Sequence, residues 1–121
     1  LPIEFHDDVD DIVPYYQSAD TIIFPTIMEE GFGYTAAEAL SCGKPVIFSD
    51  YPAIHEATGG IGVAVPPGDA GALAAEIHNF YVDKSHRDKL SQEGLEYAKA
   101  NFDWRLVYQK YRQVLEDIAK I

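Results

Sequence analysis

Glu30 and Glu38 stand eight positions apart in "EEGFGYTAAEAL", with Gly31 and Gly33 between them. Carboxylates accept hydrogen bonds from paired hydroxyl groups and repel anions. Backbone N–H groups at a helix N-terminus do the reverse, drawing in anionic oxygens. If "YTAAEALSC" is a helix, Glu30 precedes it, Glu38 lies just over one turn inside it, and "GFGYT" exposes amides between them. Gly31 and Gly33 permit a positive φ and close approach of a ligand. A polyol that also carries charged oxygens suits this mixture better than a bare phosphate does. The alternative is a capping turn with solvated carboxylates.

Other constellations are weaker. "GFGYTA" also fits the looser dinucleotide fingerprint G-x-G-x-x-A, with Asp50 at the end of the next strand as a ribose ligand. Against it, the first glycine lies well beyond Phe24, and Glu29 and Glu30 would face a pyrophosphate. "DDVDD" contains D-x-D, as in metal-dependent glycosyl transfer, but acids ahead of a helix read first as a solvated N-terminus. His6, His55, His78 and His86 show no metal-ligand spacing, and no G-x-S-x-G elbow is present. Cys42 reads as a small apolar residue near a helix end.

The elements that must position these residues alternate along the chain. "IEF" is the first strand candidate. "DDIVPYYQSA" reads as a helix with Asp10 or Asp11 near its N-terminus and Pro14 in its first turn. "TIIFP" is a buried strand, and about seven residues lead from it to "YTAAEALSC", stopped by Gly43. Ala36, Ala37 and Ala39 let that helix lie close to a sheet. "KPVIFS" is a strand, "YPAIHEATGG" a loop or short helix, "IGVAV" a strand, and "PPGD" a turn whose Asp69 caps the next helix. That helix carries Leu73, Ile77, Phe80 and Tyr81 on one stripe, and another carries Leu90, Tyr97 and Ala98. The last carries Trp104, Val107, Tyr108, Tyr111, Leu115 and Ile118, a stripe that needs something large to cover it. Continuous apolar strands separated by helices predict an α/β fold, a parallel sheet covered on both faces, with ligands beyond the strands' carboxyl ends.

The chain has 121 residues, 47% hydrophobic and 24% charged, enough for one domain or part of one with a real core. A net charge of -11 argues against a nucleic-acid partner. It also argues against a stand-alone phosphate binder, because Lys44 is the nearest cation in sequence to the glycine turn. One cysteine forbids an intrachain disulfide and fits a reducing cytosol. No apolar run approaches the roughly 20 residues of a membrane helix. The opening "LPIEF" lacks Met, so an excised or processed chain is expected.

The stretches "SADTIIFPTIMEEGFGYTAAEALSCGKPVIFSD" and "IHEATGGIGVAVPPGDAGALAAEI" resemble the nucleotide-sugar half of the retaining GT-B glycosyltransferases of the large group 1 family. The resemblance runs from about Ile3 to the end of the chain. Its most specific part is E-x7-E with "GFG" after the first Glu, supported by "VPPGD" and a closing "F-x-W…Y…Y" helix. It implies a three-layer Rossmann-like parallel sheet with flanking helices, part of the C-terminal domain of a GT-B fold. Residues 1–100 would form a partial donor-binding domain. Residues 101–121 would form a C-terminal helix packing on the sheet or on a missing N-terminal acceptor domain. The implied reaction moves a hexose from a nucleotide diphosphate sugar with retained anomeric configuration. Glu30 would face the transferred hexose as the catalytic residue, without the status of a nucleophile. Gly31, Phe32, Gly33, Tyr34 and Thr35 would meet the sugar and diphosphate, and Glu38 would accept the ribose hydroxyls. No cofactor or metal is expected, because a helix dipole and cationic side chains stabilise the leaving diphosphate. The family's Arg and Lys precede this stretch, so the chain alone should not turn over. The expected location is the cytoplasm, and the resemblance allows a full-length enzyme peripheral to the cytosolic membrane face. The same fold could instead carry a non-catalytic binding or interaction module.

Overall fold

The computed structural model describes residues 2–120. In chain order the elements are α1 (Val13–Ser18), β1 (Ile22–Phe24), α2 (Tyr34–Ser41), β2 (Val46–Ser49), α3 (Pro52–Thr58), β3 (Val63–Val65), α4 (Ala70–Val82), α5 (Lys84–Phe102) and α6 (Trp104–Ala119). The three strands form one parallel sheet in the order β1-β2-β3. Ile22, Ile23 and Phe24 pair with Val46, Ile47 and Phe48, and Ile47, Phe48 and Ser49 pair with Val63, Ala64 and Val65.

All four residues of the central strand β2 are buried, which is why its sequence shows no polar alternation. Side chains of a strand alternate between faces, and two clusters follow from that. Val46 and Phe48 pack with Ala36, Ala39, Leu40, Ile54 and Ala98 beneath α2, α3 and α5. Ile47 packs on the opposite face with Val65, Phe80 from α4 and Leu90 from α5. The result is the expected three-layer α/β arrangement. The alanines do what small residues allow: Ala36 and Ala39 are fully buried and bring α2 down onto the sheet. Gly94 of α5 serves the same end from the other side. A Cβ there would sit 2.6 Å from Leu40 Cδ2.

Local chemistry sets the helix ends. Asp11 Oδ1 accepts from the Val13 N–H at 3.0 Å, and Pro14 lies in the first turn of α1. Asp69 Oδ1 accepts from the Ala72 N–H and caps α4. Gly43, at φ 68°, closes α2: its N–H donates to Leu40 O, and the Lys44 N–H donates to Ala39 O. This pair of bonds satisfies two carbonyls that the helix end would otherwise orphan.

Three expectations need correction. "IEF" forms no strand; Ile3 and Phe5 are exposed, and no neighbouring strand in the described residues pairs with them. A strand exists only through its ladder, so apolar composition does not suffice. The α4 stripe is narrower than its periodicity suggests, for Phe80 is buried while Ile77 and Tyr81 are exposed. Gly31 does not adopt a positive φ; of the pair, Gly33 alone does, at 88°. As for the last stripe, α6 packs chiefly on α5 and has no buried residue, with Trp104, Tyr108, Tyr111, Leu115 and Ile118 all open.

Candidate functional site

Because the strands are parallel, their carboxyl ends share one edge. The loops that follow them gather there, as shown by a cleft of about 150 Å³ lined by Pro25, Ser49, Val65, Pro66 and Asp69. The β1–α2 loop, residues 25–33, carries Glu29, Glu30, Gly31 and Phe32 and ends at Gly33. Thr26 Oγ1 accepts from the Met28 N–H at 3.2 Å and donates to the Met28 carbonyl at 3.0 Å, tightening the loop's first half.

Gly33 is the turning point. Its left-handed conformation aims the chain into α2, and it lies against Ile54 of α3, where an added Cβ would meet Ile54 Cγ1 at 3.2 Å. Its carbonyl accepts from the N–H groups of Ala36 and Ala37, but no side chain caps the helix. The amides at the very start of α2 are thus left for something other than this chain's side chains, with the positive end of the helix dipole behind them. Phe32 and Tyr34 flank the glycine, their ring centroids 5.0 Å apart, and Phe32 meets Phe102 edge-on at 6.2 Å. Both aromatics also line a cleft of about 570 Å³ with Trp104, Val107, Tyr108 and Tyr111 of α6.

Glu30 is half-buried just ahead of this turn. Thr35 is half-buried at the second helical position, and Glu38 is exposed on the second turn of α2. The sequence-identified residues therefore lie on one loop-to-helix junction at the carboxyl edge of the sheet. Asp50, the rival ribose ligand, follows β2 and is held by His55, whose Nε2 lies 2.7 Å from its Oδ1. His55 in turn packs edge-on against Phe48. Asp7, Asp8, Asp10 and Asp11 of "DDVDD" are exposed ahead of α1, and Asp11 caps that helix.

Sequence reasoning missed one participant, Tyr16. It is the buried side chain of α1, and its hydroxyl donates to Glu38 Oε2 at 2.7 Å. Burial, followed by the Glu38 bond and charge, pushes the Tyr16 phenol above its ordinary range. Burial and then the Glu38 charge likewise push the Cys42 thiol up, so Cys42 stays a neutral neighbour of the site. Nothing in the local pattern "PYYQ" separates Tyr16 from Tyr15, and the contact spans 22 residues.

The family described as Glycosyl transferases group 1 matches residues 2–83. The chain is 38% identical over 96 residues to the O-antigen chain mannosyltransferase B of Escherichia coli, covering 78% of this chain and 25% of that protein. It is 33% identical to the phosphatidyl-myo-inositol mannosyltransferase of Mycobacterium leprae, covering 97% of this chain and 32% of the relative. Among solved structures, sucrose-phosphate synthase from Thermosynechococcus elongatus superposes with a TM-score of 0.81 at 31% identity, over 90% of this chain and 28% of that one. Anabaena HepE in complex with UDP-glucose gives a TM-score of 0.80 at 24% identity, over 87% of this chain and 30% of that one, a likeness of fold. The chain thus spans about a quarter to a third of the length of these relatives. With a parallel sheet and flanking helices matching those of GT-B glycosyltransferase structures, the chain belongs to the group 1 glycosyl transferases.

Proposed function

We propose that this chain is the donor-binding portion of a retaining glycosyltransferase that moves a hexose from a nucleotide diphosphate sugar. The observation that carries the reading is the uncapped start of α2 at a left-handed Gly33, with Glu30 before it and Glu38 after it. Free amides with a helix dipole behind them suit a diphosphate, and carboxylates suit the hydroxyls on either side of it. The HepE neighbours with UDP and with UDP-glucose support a donor of this class.

In this reading Glu30 faces the hexose and is the residue on which turnover depends. The amides of Gly31, Phe32, Gly33 and Tyr34, with Thr35, meet the sugar and diphosphate. Glu38 accepts the ribose hydroxyls. No metal is required, since the amides and cations supplied by a preceding segment neutralise the leaving group. The acceptor domain is that preceding segment too, and α6 with its open aromatic stripe packs against it. The 121 residues alone therefore bind donor weakly and do not turn over. The reading carries a cytoplasmic location, with the whole enzyme free to associate peripherally with the membrane face there.

The test is calorimetry and kinetics on the full-length protein. Glu38→Ala removes charge-assisted bonds of about 1.5–3 kcal/mol each, so donor affinity falls by roughly one to two decades. Undiminished affinity removes Glu38 from the ribose. Glu30→Ala lowers kcat far more than it weakens binding of the bare nucleoside diphosphate; equal losses would assign Glu30 to the nucleotide instead. Proton NMR of the product decides between retention and inversion at the anomeric carbon.

A further inference from the structure

Glu38 is an exposed residue on a helix, and a free glutamate there would sample many rotamers. It does not have that freedom. The Tyr16 hydroxyl, on a ring only 7% exposed, donates to its Oε2 at 2.7 Å, the short range of a bond to a charged acceptor. The other acceptor near that hydroxyl, the Thr35 carbonyl, lies at 3.5 Å and is too distant to compete. Among the described residues no other side chain hydrogen-bonds Glu38. Tyr16 is itself fixed, wedged between α1 and the core that contains Ala36, Ala39 and Leu40 of α2.

We infer that Tyr16 is a positioning residue that holds the Glu38 carboxylate in the orientation a ribose diol requires; this rests on the donor reading above. An ionised carboxylate offers about four acceptor sites. Tyr16 occupies one, leaving Oε1 and the remaining lone pair of Oε2 for two vicinal hydroxyls. Pre-setting the rotamer removes an ordering cost that donor binding would otherwise bear. The burial that raises the phenol's pKa keeps it a donor, so the pair has one stable polarity.

The test is a cycle between protein and ligand. UDP, GDP and ADP are titrated into the full-length protein, and the tightest is compared with its 2′,3′-dideoxy counterpart. Tyr16→Phe keeps the packed ring and removes the hydroxyl. The expected result is a loss of about 3–10-fold in affinity for the ribose ligand, with less than about twofold for the dideoxy ligand. In a Glu38→Ala background the same change should have no further effect. Equal losses for the two ligands, an unchanged ratio with only a lower melting temperature, or a further loss without Glu38 would each make the hydroxyl purely structural and overturn the inference. If Glu38→Ala collapses the ribose preference and Tyr16→Phe does not, the positioning role alone fails. If Glu38→Ala leaves that preference intact, or none of the three nucleotides binds, the donor reading fails and takes this inference with it.

Discussion

Gly31 and Gly33 look alike in the sequence, and their surroundings separate them. Gly33 sits at φ 88° with Ile54 at its back, whereas a Cβ on Gly31 meets nothing within 4 Å. An L side chain held in the left-handed region costs about 1–2 kcal/mol. Gly33→Ala should therefore lower stability by about that much, read as a shift in a denaturant midpoint, while Gly31→Ala should leave the midpoint in place. A ligand that approaches the Gly31 backbone would then reveal itself as lost donor affinity in a fully stable variant. Tyr16 makes a second residue-scale prediction, on the alkaline side. Its phenol is raised when folded, so its stabilising contribution is complete below the free phenol pKa of about 10. Above that pH the unfolded phenol ionises first, and stability falls until the folded phenol has ionised too. The stability advantage of the wild type over Tyr16→Phe should therefore shrink as pH rises above about 10, read from melting curves at stepped pH.

Secondary elements here were legible where local rules act alone. Pro14, Asp69 and Gly43 mark helix ends by chemistry confined to a few residues, and each does so in the structure. Asp69→Ala should cost about 1 kcal/mol through loss of the cap on α4, measured by thermal unfolding. Burial was less legible. The helical period names a face but not what covers it. Phe80 found β2 and β3 beneath it, while Ile77, nearly a turn before it, and Tyr81, directly after it, lie beside β1, lining a cleft of about 290 Å³ with Ile23. "IEF" failed for a related reason, since a ladder partner cannot be read from three apolar letters.

At the scale of the molecule, charge and surface both point outward. On the proposed donor reading, with 9 Lys and Arg against 20 Asp and Glu, the diphosphate would need cations from outside these 121 residues. The α6 stripe from Trp104 to Ile118 is apolar and open. If it meets a preceding domain, amide exchange along α6 should be markedly slower in the full-length protein than in residues 1–121 alone; equal rates would leave the stripe unexplained. Donor hydrolysis or transfer by the full-length enzyme should also persist in excess EDTA, since the proposed charge stabilisation is by amides and side-chain cations.

The sequence by itself determined the three strands β1, β2 and β3, the caps, the glycine junction and the spacing of the two carboxylates, because each depends on neighbours within a turn or on an uninterrupted apolar run. Only the tertiary structure decided which glycine bends, which faces are covered, and that Tyr16 reaches Glu38 across 22 residues. Those are matters of contact between distant segments, and a side chain's partner across the fold leaves no trace in the residues beside it.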